Sequence, residues 1–496
     1  MRRWQLLWFA VLVVLVAPAA AHIAQVPYNL PVPFSMYAYG ATGALVASFV
    51  VVGYFARSAP AGLGEAGRVV TEHPLVRFIG SGVARAVLQG LAVAALALSI
   101  ASGFGAASQV SAAFNITFFW IICLLGYTYL TALIGDWYPL LNPWQALADW
   151  CFGAARSRPV RRAYPSWLGY YPALAWYLLL IWFELSGKST PLALSCALIG
   201  YTVLTLAGVR VFGATAWMRH GEVFGVFFRM VAKMAPLDVD ARQPAIAVRL
   251  RAPFVGCLQE RPDHFSLVIF VLFMLSSTAF DGVHETLAWV SIFWRYLYPV
   301  LAAVIATHSK HQYLVLVNFF YYWQWLMLFV SPLFYLGIYW GFIAMTRRVT
   351  RSERTVRELA VAFTFSLIPI AFVYNVSHYF TEFVGQAPAI LAIISDPFGL
   401  GWNLFGTRDL GWQDYMFEAG TVWHTQVWLI LAGHIVSVYL AHLEALRIFR
   451  TRREATISQL PMLLLMMALT TIGLWILSLP IAAGQVLLPP GVGTPQ

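Results

Sequence analysis

The sequence predicts an all-α protein, a polytopic bundle of about ten transmembrane helices. Three observations predict it. Of 496 residues, 60% are hydrophobic and only 10% are charged, whereas a soluble domain carries about 25% charged residues. Apolar segments of about 20 residues, the length a helix needs to cross a hydrocarbon core of about 30 Å, recur along the whole chain. The basic residues are also segregated once those segments are threaded up and down.

The first element is a leader, 1–21. Met1-Arg2-Arg3 is a basic start, an apolar run extends to Ala17, and Pro18 precedes Ala19-Ala20-Ala21. That combination predicts a cleaved signal peptide, with His22 as the new N-terminus. The remainder, 22–496, reads as one transmembrane domain. Its predicted spans are 34–56, 83–104, 116–134, 167–185, 192–211, 265–289, 314–345, 359–380, 422–446 and 460–483. An even number of spans places both mature termini on one side.

Orientation follows from the basic residues. Of 31 Lys and Arg, only Lys188, Arg295, Lys310 and Arg408 fall in segments on the side of the mature termini. Arg2 and Arg3 belong to the leader, and every other one lies at the opposite side. By the positive-inside rule, the Arg-rich ends are inner and the mature termini are outer. The net charge of +10 thus reports membrane orientation, and no nucleic-acid partner is expected. Cys123, Cys151, Cys196 and Cys257 stand singly with no C-x-x-C pair and read as free thiols.

Three connecting segments stand out. The inner loop 214–263 contains an amphipathic stretch, 222–234, expected to lie in the membrane interface. On the outer side are 291–313 and 385–421, the latter rich in Gly, Trp, Phe and Asp. Long loops on a membrane scaffold often form lids or binding surfaces.

The chemistry-bearing residues gather at outer helix ends. Asp281 and His284 are three apart and share a helix face. His378 and Glu382, four apart, do likewise. His424 begins the ninth span, His434 lies mid-membrane and His442 lies near the inner end. Ionisable groups inside a span are costly and mark partners, cavities or function. Imidazole and carboxylate together suit zinc, copper and iron, and a terminal His22 would add an amine and an imidazole. His308 and His311 are expected to be interfacial. The inner segment Gly135-Asp136-Trp137-Tyr138-Pro139-Leu140-Leu141-Asn142-Pro143-Trp144 reads as a capped helix end. Other signals are missing or out of context. There is no G-x-S-x-G elbow, and His284-Glu285 lacks the second histidine of H-E-x-x-H. Gly62-Leu63-Gly64-Glu65-Ala66-Gly67 has no βαβ unit around it.

At these residues the chain resembles bacterial membrane proteins of the fenitrothion hydrolase family. The resemblance is carried by His22, Gly135-Asp136-Trp137 with Leu141-Asn142-Pro143-Trp144, Phe280-Asp281-Gly282, His378-Tyr379-Phe380 and Gly433-His434. Ser377 stands where the family pattern has an alanine, and Leu443 separates His442 from Glu444. The resemblance implies a bacterial inner-membrane hydrolase of organophosphorus triesters, working with a second membrane-protein component on apolar aromatic substrates.

The expected ligands of a divalent transition metal (zinc or copper, with iron a further option) are His22, Asp281, His378 and His434. His284, Glu382 and His424 are the candidates for catalytic or supporting roles. Two other readings use the same residues: copper or zinc handling or transport, and a haem held by His378 and His434.

Overall fold

A computed structural model describes residues 32–56, 67–105, 113–153, 161–186, 189–241, 246–305, 312–410 and 417–479. The predicted leader, His22, His308 and His311 lie outside the described residues.

The described residues begin with α1 (Phe34–Phe55), α2 (Gly82–Ser102) and α3 (Phe114–Ile134), the last widened by a π turn at Thr117–Gly126. Two short helices follow, α4 (Tyr138–Leu141) and α5 (Pro143–Phe152), and then α6 (Tyr171–Leu185) and α7 (Pro191–Phe212). The inner segment contributes α8 (Ala214–His220) and α9 (Val223–Val231). Next come α10 (Phe265–His284), α11 (Leu287–Val304), α12 (Gln312–Thr350) and α13 (Val356–Phe363). The last helices are α14 (Ile368–Gln386), α15 (Ala419–Ile448) and α16 (Arg452–Ser478). The predicted all-α bundle is thus the observed fold.

Among the described residues, eleven helices are long and apolar enough to cross a bilayer, one more than the sequence predicts. The addition is α11. Phe265 meets Trp340 and Ser276 Oγ lies 3.1 Å from Ser331 Oγ, so α10 and α12 are antiparallel. Beyond them Trp289 stacks on Trp323 at 4.6 Å, and Phe293 meets Phe320 at 5.2 Å. Helix α11 therefore continues in the direction of α10 along the first turns of α12. It lengthens a hairpin rather than adding a crossing. The 39 residues of α12 span about 58 Å, roughly twice the hydrocarbon thickness.

Two groups of helices pack together. Helices α2, α3, α5 and α7 form one, and α10, α12, α14, α15 and α16 form the other. Helix α1 joins the second group, against α15 and α16. Tyr37 packs edge-on against Trp423 at 5.3 Å near one end of α1, and His442 Nε2 lies 3.3 Å from the Ala56 carbonyl at the other. Helices α6 and α9 bridge the groups. Tyr177 of α6 packs on Phe227 of α9 and Phe273 of α10.

The inner segment departs from expectation. Helix α9 does not lie at the interface: Val223, Phe224, Val226, Phe227, Phe228, Met230 and Val231 are all buried. Its apolar face is covered by protein rather than by lipid headgroups, with Tyr177 against Phe227 and Tyr127 against Phe228. A three-stranded antiparallel sheet, ordered β1 (Arg68–Val69), β3 (Ala247–Leu250), β2 (Leu237–Asp240), closes this end. Its Ile246 and Val248 pack with Leu140 and Trp137. Gly135 sits at φ 95°, with the Leu237 carbonyl 2.4 Å from where a Cβ would be, so only glycine fits this turn.

Candidate functional site

Helix α10 is capped by His264, whose ring accepts the Ser266 N–H, and ends at Glu285. Asp281 and His284 therefore occupy its last turn. Helix α14 starts with Pro369 in its first turn, a position needing no N–H donor, after the 3₁₀ turn Thr364–Leu367. That start sets the phase by which His378 faces α10. His378 Nε2 lies 2.8 Å from Asp281 Oδ2, and the Tyr379 hydroxyl donates to the same oxygen. Asp281 is 4% exposed.

A carboxylate at Nε2 fixes the tautomer with its proton there and leaves Nδ1 as the acceptor. The Nδ1–Cε1 edge of His378 faces Gly282, 3.9–4.0 Å from where a Cβ would stand. An alanine there would press on Ile476 at 3.1 Å and meet the imidazole edge at ordinary contact distance. Beside it lies a cavity of about 30 Å³, lined by Thr278, Gly282, Tyr374, Ser377 and His378 among others. That is room for about one water molecule with polar partners.

The other predicted residues divide. His284 is 6% exposed and packs on Phe280. Its Nδ1 lies 2.7 Å from the Asp281 carbonyl and 3.7 Å from Asp281 Oδ1, so it flanks the Asp–His pair. Glu382 lies one turn beyond His378 and accepts a hydrogen bond from Gln386 at 3.2 Å. It shares an electrostatic neighbourhood with Asp281 and Glu184.

His424 stands elsewhere. Gln426 donates to the Ser377 carbonyl at 2.9 Å and so marks the face of α15 that meets α14. His424, two residues away, is rotated by about 200° and packs near Tyr37 of α1. It lines an open groove with Glu418 and Trp428.

His434 is fully buried, with Nδ1 2.8 Å from the Ile430 carbonyl and its ring edge-on to Tyr374. Its neighbour Gly433 abuts Val373. His378 is five residues farther out, about 7 Å along the axis. The two histidines therefore sit at different depths in the bundle. His442, at the inner end, faces the last carbonyl of α1.

The donor set bears on the expected metal. Among the described residues no group of three or more His, Cys, Asp or Glu side chains is placed to hold an ion. Asp281 and His378 form a pair close enough to share one, and His284 flanks them, 3.7 Å from Asp281 Oδ1, without completing such a group. The described residues alone therefore do not supply a complete metal centre.

Glu184 and Tyr379 were not singled out from the sequence. Glu184 ends a run of aromatic and aliphatic residues and looks like an interfacial helix end. Tyr379 sits in an aromatic-rich stretch where one hydroxyl carries no distinctive signal.

A second polar cluster lies on the inner side and accounts for the Gly135–Trp144 motif. Asn142 caps α5 by accepting the Trp144 and Gln145 N–H groups at 2.9 and 3.0 Å, and its amide donates to Glu222 at 3.2 Å. Glu222 in turn caps α9, accepting the Phe224 and Gly225 N–H groups at 3.1 and 2.7 Å. The Tyr201 hydroxyl donates to it at 2.8 Å. Glu222 is 0% exposed. Burial pushes its carboxyl up to about 7, against the opposing pull of its donors. No Lys or Arg of the described residues forms an ion pair with it. Two helix starts are thereby tied to one carboxyl, a structural arrangement.

Fold and site define a polytopic helical membrane protein with a buried Asp–His–Tyr constellation near one end of its bundle. No family model, curated protein or solved structure matches the chain, so function is argued from the site and from the short motifs above.

Proposed function

We propose that the chain is a bacterial inner-membrane hydrolase of organophosphorus triesters, with His378 as its base and its site toward the outer face. The observation that supports it most directly is the 2.8 Å contact between His378 Nε2 and Asp281 Oδ2 beside a water-sized cavity. The substrate class comes from the resemblance.

In the proposed step, His378 Nδ1 takes a proton from a water molecule while the water oxygen bonds to phosphorus. The bond from phosphorus to the aryl oxygen breaks, and the aryloxide leaves with the electron pair. A nitro-substituted aryloxide is stable enough to leave without a proton donor. Asp281 keeps the imidazole in the required tautomer and stabilises its protonated form, as a carboxylate does for a catalytic histidine. Tyr379 holds Asp281 in place. A zinc, copper or iron ion enters this proposal only with donors beyond the described residues, such as His22, His308 or His311, and no step here depends on it. A second membrane component remains part of the proposal on the resemblance alone.

The test uses purified protein in lipid vesicles with a dialkyl 4-nitrophenyl phosphate, read by nitrophenolate absorbance. His378→Asn is expected to lower kcat by about 10²–10⁴, the range for losing a general base. His424→Ala is expected to retain at least half the activity. Full activity in a folded His378→Asn variant would refute the proposal.

A further inference from the structure

The cavity beside His378 has a floor, a roof and a thin side wall. The Tyr374 hydroxyl donates to the Leu469 carbonyl at 2.6 Å and ties α14 to α16 beneath it. Above it, Gly282 is packed so closely against Ile476 that an added Cβ would meet that side chain at 3.1 Å. The remaining wall contains Ile472 of α16 and Tyr335 of α12. Ile472 is 48% exposed and shares the outward face of α16 with Leu464 and Trp475, at 51% and 43%. A face of exposed aliphatic and aromatic side chains in the middle of a spanning helix faces acyl chains, not water.

Helix α12 carries Pro332 one turn before Tyr335. A proline inside a helix removes one backbone hydrogen bond and weakens the helix locally. The seam between α12 and α16 therefore has a weakened turn at the level of the cavity. Floor and roof, by contrast, are fixed by a hydrogen bond and by close packing.

We propose that the Asp281–His378 pair is reached from within the bilayer, through a lateral portal between α12 and α16 bordered by Ile472 and Tyr335. The ligand class this wall selects is an uncharged, lipid-dissolved small molecule with hydrogen-bond-accepting oxygens, which must part the α12–α16 seam to enter, since the closed cavity of about 30 Å³ holds about one water molecule. Its apolar body passes the aliphatic wall, and its acceptors meet the hydroxyls of Thr278 and Ser377. The proposal rests on reading the Asp281–His378 pair as the reactive centre.

Accessibility is measured without catalysis. The protein in phosphatidylcholine–phosphatidylglycerol vesicles is treated with dicyclohexylcarbodiimide, which partitions into the bilayer, or with a cationic water-soluble carbodiimide. Modification of Asp281 is followed by peptide mass spectrometry, with exposed Glu418 as the reference for aqueous labelling. The bilayer reagent is expected to modify Asp281 at least ten times faster than the aqueous one. Ile472→Trp, which fills the portal, is expected to slow that reaction about tenfold. Ile472→Ala, which enlarges it, is expected to speed it, and this variant decides the matter if the tryptophan variant does not fold.

Equal or faster labelling by the aqueous reagent, no labelling by either, or rates indifferent to residue 472 would overturn the portal. Failure of the hydrolase reading is a separate outcome: inactive protein with bilayer-selective labelling keeps the portal and removes the hydrolase.

Discussion

Replacing Glu222 by glutamine tests the inner carboxyl cluster through pH. The folded carboxyl titrates near 7, against 4.5 for the free group. Below pH 4.5 both folded and unfolded chains hold the proton, and above pH 7 neither does. Between those values the folded chain keeps a proton that the unfolded chain has released, so stability falls as pH rises through this window. A difference of 2.5 units at 1.36 kcal/mol each is about 3 kcal/mol. Tyr201 and Tyr138 face the carboxyl, and both hydroxyls stay neutral across this range, since burial raises the tyrosine at 138 well above its ordinary value. The slope thus belongs to Glu222. Glutamine keeps one carbonyl oxygen, enough for the Phe224 or the Gly225 N–H but not both, and loses the titration; the lost bond shifts its stability by an amount independent of pH. Denaturant unfolding in detergent from pH 4.5 to 8 should show Glu222→Gln gaining about 3 kcal/mol relative to wild type across the interval. A constant difference between the two proteins would refute the reasoning.

Two other perturbations have expected outcomes. Gly433→Ala places a methyl 2.3 Å from Val373 Cγ2, so α14 and α15 must separate by about 1 Å or more, at about 1–3 kcal/mol. Val373→Ala in the same chain should recover most of the lost Tm, and its failure to do so would remove the steric explanation. Glu444→Ala takes the acceptor from Arg261 Nε at 2.8 Å and Arg447 Nη1 at 2.8 Å. Both arginines reach solvent, so the expected loss is about 1–3 kcal/mol, read as a lower Tm, and an unchanged Tm would contradict it.

The spans were legible in the sequence because length and hydropathy are local properties. The predicted 34–56 and 167–185 differ from Phe34–Phe55 and Ser166–Leu185 by a residue at an end. The extension of the α10–α12 hairpin was not legible. Residues 287–304 are as apolar as a crossing segment, and only their pairing with α12 shows that they continue outward. The amphipathic pattern of 222–234 suits a membrane surface as well as a protein groove, and tertiary packing chose the groove. Asp281, His378 and His284 converge as their helical spacing suggests. His424 does not, because equal depth in the membrane says nothing about which way a helix face turns. His434 shares the bundle with them at a different depth.

The placement of α1 bears on how the chain is made. Its neighbours α15 and α16 are translated about 360 residues later, which at 5–20 residues per second means a delay of roughly 20–70 s. During that delay α1 resides in the bilayer without the helices it finally touches. Its composition allows this, since a 22-residue helix with no charged residue is stable in lipid unaccompanied. Emergence of α15 and α16, rather than insertion of the first span, is then the event that closes the second helix group. A truncation lacking α16 would leave α1 inserted but unassembled, a substrate for membrane quality-control proteases.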